Sequence, residues 1–245
     1  MAQIEQDLVI SRALVEIFAD DYLAANLAFR GGTALHKLYL QPQQRYSEDI
    51  DLVQITAEPF GNIINKLRNR LQFLGKPQLK QKLNNNTLIF QFDSEFPPII
   101  KLKVKVETNC KEHFSVLGYQ KLHFSVENKW FSGSCNLTTY LLEELLGTKL
   151  RALYQRSKGR DLFDLYTAIS LSPNLNTEQI IQCYRRYMDF VVEQPPSQKQ
   201  FLQNMEAKMQ DSEFKGDIFG LIRQNQTYNP EVAYDFVKKV LIEKI

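Results

Sequence analysis

The stretch that decides the fold is Phe29–Val53, FRGGTALHKLYLQPQQRYSEDIDLV. Gly31 and Gly32 allow the backbone to bend sharply and to approach a ligand closely. Thr33 reads as a helix cap ahead of the helix formers in TALHKLYL. Sixteen residues after Thr33, Asp49 and Asp51 flank Ile50 and lead into an apolar run, so DIDLVQI reads as a strand. Residues two apart on a strand face the same way. Asp49 and Asp51 therefore share one face, while Ile50 and Leu52 point into the core.

Two carboxylates a few ångströms apart repel by roughly 4 kcal/mol at an effective dielectric of about 20. A divalent cation offsets that cost, and Mg²⁺ (or Mn²⁺) favours one or two carboxylates together with substrate phosphates. The glycine turn supplies the phosphate side. A helix starting near Thr33 would aim free N–H groups and its positive end at an anion, and the Thr33 hydroxyl adds a donor. Alone, GGT is an ordinary turn and DID an ordinary solvated strand end. In this order, with a helix between them, they describe a holder for a nucleoside triphosphate and its metal.

Outward from this core, residues 5–26 read as one helix, with Ile10, Leu14, Ile17, Phe18 and Tyr22 at helical spacing. LAFRGG is a short strand ending in the turn. PFGNIINKLRNRLQFLG runs as a helix from proline entry to glycine stop. Three strands follow, QLKQKL, TLIFQF and IIKLKVKVE. The last alternates Ile100, Leu102, Val104 and Val106 on one face with Lys101, Lys103, Lys105 and Glu107 on the other. KLHFSVEN adds an edge strand. From about Leu137 the texture becomes helical, in TTYLLEELLGTKLRALYQR, GRDLFDLYTAIS, TEQIIQCYRRYMDFVVE and PEVAYDFVKKVLIEKI. The expected division is an α/β domain over 1–136 and a helical domain over 137–245.

Composition sets the outer bounds. The 245 residues are 44% hydrophobic and 24% charged, as in an ordinary globular protein with a substantial core. No apolar run reaches the roughly 18 residues of a membrane span, and the acid-bearing N-terminus does not read as a signal peptide. Cys110, Cys135 and Cys183 stand far apart, as do His36, His113 and His123, which argues for a reducing cytoplasm and against zinc. A net charge of +2 neither demands nor excludes nucleic acid.

The segment GGTAL…RYSEDIDL resembles the opening motif of the AbiEii/AbiGii toxin family, within the DNA polymerase β-like nucleotidyltransferase superfamily. The resemblance runs over about residues 27–170. It implies an α+β fold, a nucleotidyltransferase-like mixed sheet with helices in the N-terminal half and a helical bundle in the C-terminal half. It also implies a third carboxylate on a neighbouring strand, and Glu107 answers, as metal ligand or catalytic base; on periodicity alone Glu107 reads equally as an exposed glutamate among lysines.

In TTYLLEELLGTKLRALYQR, Lys149 falls within the apolar stripe with Leu142, Leu145 and Leu153. A lysine there must snorkel, pair or face a cleft. KLRALYQRSKGRDLFDLY resembles the second signature of the same family, in which a lysine contacts the triphosphate and an aspartate in the next helix completes the site. Lys149 matches the lysine and Asp161 the aspartate, with Asp164 as the alternative. Near a helix N-terminus, both aspartates are also explained by the helix dipole alone. Arg151 and Arg160 read as surface charges or ion-pair partners. CYRRYM, residues 183–188, interleaves aromatics with arginines as an RNA clamp would, although packed tyrosines on a solvated helix explain it as well.

The resulting expectation is a toxin-type enzyme. Asp49, Asp51 and Glu107 would hold Mg²⁺, while Gly31, Gly32, Thr33 and Lys149 would grip the NTP and Asp161 would support catalysis. NMP would pass to an acceptor such as a tRNA 3′ end, and a cognate antitoxin from the same toxin–antitoxin or phage-defence system would neutralise the activity. Two other readings are a catalytically silent interaction module on this fold and a metal-dependent glycosyltransferase using DID.

Overall fold

The computed structural model describes residues 2–223 and 226–245. The chain forms two compact units. The first joins Met1–Leu38 to Tyr46–Tyr140, and the second joins Tyr39–Arg45 to Leu141–Ile245.

The first unit carries one seven-stranded mixed sheet. Its strands are β1 (Leu27–Arg30), β2 (Asp49–Gln54), β3 (Gln78–Lys82), β4 (Asn85–Asp93), β5 (Lys101–Asn109), β6 (Tyr119–Glu127) and β7 (Ser132–Tyr140), in the order β3-β4-β5-β2-β1-β7-β6. The β2–β5 and β1–β7 pairs are parallel and the others antiparallel. The inner strand β1 is short, and buries Leu27, Ala28 and Phe29 completely. Helix α1 (Ala2–Phe18) lays Ile10, Ala13, Leu14 and Ile17 against β5, β6 and β7. Each of the isoleucine and leucine side chains contributes about 1.5–3 kcal/mol of burial.

The expected single helix over 5–26 is two helices. Asp20 ends the first run and caps α2 (Asp21–Asn26), its carboxylate accepting from the N–H groups of Tyr22 and Leu23. Helix α3 (Gly31–Ala34) continues as a π turn over Leu35–Tyr39, and α4 (Gly61–Arg70) follows β2. Two boundaries also differ from the expectation. Ile100 lies outside β5 and is exposed: the Pro97–Pro98 pair precedes it, and its carbonyl accepts from the Ser94 N–H to close a loop. Thr138, Thr139 and Tyr140 extend β7, because the Thr139 hydroxyl donates to the Phe29 carbonyl of β1 and ties the segment to the sheet. Helix begins only at Leu142.

The second unit is helical: α5 (Leu142–Gln155), α6 (Gly159–Leu171), α7 (Thr177–Val191), α8 (Gln198–Gln210), α9 (Ser212–Gly216) and α10 (Pro230–Val240). The starts of α7, α8, α9 and α10 are capped by Asn176, Ser197, Asp211 and Asn229, each accepting from a free N–H of the first turn. On α7, Tyr184 and Tyr187 are buried and Arg185 and Arg186 exposed, so CYRRYM is a packed helix with a solvated face. The Tyr187 hydroxyl donates to buried Glu144 at 2.8 Å. Among the described residues no helix is long and apolar enough to cross a membrane.

Candidate active site

In the first unit the strands bring the expected carboxylates together by register. Parallel pairing sets Asp51 opposite Glu107 and Asp49 opposite Lys105. Residues opposite one another in a sheet project to the same face. Ile50 and Leu52 fill the other face and are buried, while Asp49, Asp51 and Glu107 stay half-buried. The trio thus occupies one patch on two adjoining strands.

The glycine turn is fitted to this patch. Gly31 has φ +81°, and a Cβ added there would stand 2.1 Å from Oδ2 of Asp51. Only glycine accommodates both the left-handed backbone and the carboxylate lying against it. Gly32 and Thr33 follow within α3. Thr33 does not cap the helix: it is buried inside it, and its hydroxyl donates to the Asp49 carbonyl at 2.5 Å, tying the turn to the strand.

The electrostatics express mutual repulsion. Burial raises the Glu107 carboxyl above its ordinary range, and the charges of Asp51 and Asp49 raise it further against Lys82 and Arg30. Burial likewise raises Asp49, with Lys105 opposing the rise and Asp51 adding to it. The Lys105 ammonium lies 3.2 Å from Asp49 Oδ2, and Asn85 donates to Glu107 at 3.1 Å. Arg30, opposite Asp51 on β1, is fixed by Glu112 at 2.5 Å. The oxygen donors suit a hard divalent cation, and a cation would relieve the repulsion. Among the described residues no three His, Cys, Asp or Glu side chains already converge as a metal-holding group, and Lys105 stands at Asp49 in that role.

In the second unit, Lys149 lies on the buried stripe of α5 and is paired. Its amine is 3.0 Å from Asp161 Oδ1 and 3.0 Å from Asp164 Oδ2, both on α6. Arg156 forks onto Asp161 at 2.7 and 2.9 Å. Arg45 forks onto Asp164 at 2.7 and 2.8 Å. Both aspartates are fully buried. Burial alone would raise the Asp161 carboxyl, but Lys149 and Arg156 hold it below its ordinary range. The amine thus sits between two buried carboxylates, each also held by an arginine.

Arg45 and Lys105 escaped the sequence reading. Arg45 belongs to the RYSEDID stretch yet meets a residue 119 positions away, and Lys105 meets Asp49 across 56. The signal available for Lys105 was its place two residues before Glu107 on the same strand face.

Comparison with known proteins gives one clear family. The family described as nucleotidyl transferase AbiEii toxin, type IV TA system, matches residues 12–236. Among solved structures, the chain is similar to MenT4, a nucleotidyltransferase toxin from Mycobacterium tuberculosis (TM-score 0.65, 16% identity, covering 98% of this chain and 83% of that one). It is also similar to JHP933 from Helicobacter pylori (TM-score 0.55, 16% identity, 99% and 94% covered) and to a putative nucleotidyltransferase from H. pylori (TM-score 0.56, 18% identity, 98% and 94% covered). No curated protein sequence matches it. At these identities the structural likeness establishes the α+β nucleotidyltransferase-like fold.

Proposed function

We propose that this chain, which belongs to the AbiEii nucleotidyltransferase toxin family, transfers NMP from an NTP to an RNA acceptor, a tRNA 3′ end. The observation that carries the reading is the placement of Asp51 against Gly31 and opposite Glu107, one carboxylate joining the turn to the third acid. Asp49, Asp51 and Glu107 would hold Mg²⁺ or Mn²⁺, Asp49 being paired with Lys105 in this structure. When bound, the ion supplies charge neutralisation at the phosphates.

The chain's own residues carry the remaining roles. The Gly31–Gly32 turn lets the triphosphate approach the backbone, and Thr33 fixes that turn to β2 through Asp49. Glu107, opposite Asp51 on β5, takes the proton of the acceptor hydroxyl. The hydroxyl oxygen then bonds to the α-phosphorus, the bond to the bridging oxygen breaks, and pyrophosphate leaves. Lys149 is the triphosphate-contacting lysine of the family resemblance, and Asp161, with Asp164, orients its amine. A cognate antitoxin of the type IV system would be its partner, and the reaction would run in the cytoplasm.

Incubating the protein with total RNA and each alpha-labelled NTP tests this reading. One NTP should label a tRNA-sized band, and EDTA should abolish the labelling. Absence of labelled RNA with every NTP overturns the RNA acceptor, and labelling that persists in EDTA overturns the metal role.

A further inference from the structure

A groove of about 320 Å³ opens in the first unit, lined by none of the candidate active-site residues. Its walls come from α1, the turn after α4, the end of β4 and the β6–β7 turn, and include Phe73, Phe92, Trp130 and Phe131. The Arg12 guanidinium lies 4.0 Å from the centroid of the Phe73 ring and 5.2 Å from that of Phe131, with Glu16 3.7 Å away. Arg12 is thus stacked on the aromatic wall, although its buried Nε, like an oxygen of Glu5, has no hydrogen-bond partner.

Glu5 lines the same groove and is 3% exposed. One of its oxygens accepts from the Glu95 backbone N–H at 2.6 Å. The other, Oε2, is buried and has no hydrogen-bond partner. A buried acceptor left unpaired costs stability until a donor reaches it. Asp93 and Glu95 add two more carboxylates to the lining, Asp93 being paired outward with exposed Lys101 at 2.8 Å. Three acids against one stacked arginine leave the lining net acidic, which complements a cation and repels phosphate.

The surroundings of the groove are apolar. Phe96 stacks on Trp130 with ring centroids 5.4 Å apart, and the two are 43% and 40% exposed. Ile4, Ile99 and Ile100 are also exposed. With Phe96 and Trp130 they make five of the ten large exposed hydrophobics among the described residues. The Glu5–Glu95 hydrogen bond and the Phe96–Trp130 stack bring their three segments together. A concentration of this kind marks a docking surface. A small free cation would leave these side chains uncovered, whereas a protein segment would cover them.

We propose that this groove docks a partner protein through a segment presenting an arginine or lysine between apolar side chains. The cationic head pairs with Glu5 against the aromatic walls, and the flanking apolar groups cover Phe96 and its neighbours.

Trp130 is the chain's one tryptophan, so its emission reports occupancy of the groove directly. The full-length protein is titrated with a blocked hexapeptide alternating leucine and arginine, and with its glutamate counterpart. The arginine peptide should shift Trp130 emission saturably, the glutamate peptide should not, and Glu5→Gln should weaken binding at least about tenfold. Phe96→Ser, on the exposed rim, should also weaken it and serves as the second variant if Glu5→Gln lowers the melting point. No saturable shift up to millimolar peptide, equal binding of both peptides, or binding unchanged in both variants overturns the proposal. So does a response to free arginine as strong as that to the peptide, which would reduce the groove to a small-cation site. None of these outcomes bears on nucleotidyl transfer, which these variants should leave unchanged.

Discussion

Asp51 and Asp164 are the same residue in opposite surroundings. On β2 and β5, Asp49, Asp51 and Glu107 are half-buried and crowd one another, and burial with like charge raises both Asp49 and Glu107. On α6, Asp161 and Asp164 are fully buried, yet three cations surround them and Asp161 is held low. The contrast teaches what each arrangement is for. Carboxylates already saturated by cations hold the Lys149 amine and their own helix in place, whereas carboxylates that repel one another favour the arrival of a cation. Loss of the first pattern should show in stability and, through Lys149, in activity; loss of the second should show chiefly in activity.

The contrast breaks most visibly at Asp164. Asp164→Ala leaves the buried Arg45 without its carboxylate partner, which should cost about 3–5 kcal/mol in urea denaturation. A loss below about 1 kcal/mol would mean that the network relaxes into solvent. Lys149→Met should cost less, about 1–3 kcal/mol, because each aspartate keeps an arginine. Were Lys149 merely an amine lying across an apolar stripe, its removal would instead be neutral or stabilising. The two ion pairs at 3.0 Å reverse that expectation.

Gly31→Ala sharpens the comparison from the other side. It forces a side chain into the left-handed region, for about 1–2 kcal/mol, and places a Cβ against Asp51 Oδ2. Melting should fall modestly while transfer falls steeply. Full activity in the folded variant would show that the turn does not position Asp51.

The smallest effect is one of sign. Glu107 has a raised folded-state pKa, so its contribution to stability is present in full below the ordinary glutamate value of 4.5 and is lost as pH rises through the folded value. Asp161 is lowered, so its contribution is present above 3.8 and is lost as pH falls through the folded value. Glu107→Gln should therefore melt slightly higher than the parent at neutral pH, and the difference should vanish below about pH 4. A parent that remains the more stable at neutral pH would mean that Glu107 has a favourable partner rather than repelling neighbours.

What the sequence conveyed follows the range of each interaction. The period-two alternation of DIDLV and KLKVKVE was enough to place Asp49 and Asp51 on one face and Glu107 on the polar face of its own strand. That β5 pairs parallel to β2, setting Asp51 beside Glu107, is a property of the assembled sheet. The placement of Lys149 on an apolar stripe was legible from helical spacing, but its partners on α6 and their arginines were not. Arg45 acquires its role only when folding brings it to Asp164, 119 residues on. The break at Asp20 was missed because the apolar stripe runs on through Tyr22 and masks the cap. At Thr33 the hydroxyl found a carbonyl on β2 in place of its own helix, a choice set by tertiary contact.

The most direct test of the account is the rate of NMP transfer by Asp51→Asn, measured beside its melting curve. The account predicts a loss of about a hundredfold to a thousandfold or more, with melting unchanged or slightly raised, because the substitution removes a repelling charge from a half-buried patch and opens no cavity. Transfer at the parental rate in the folded variant would contradict it, and the catalytic site would then lie elsewhere in the chain.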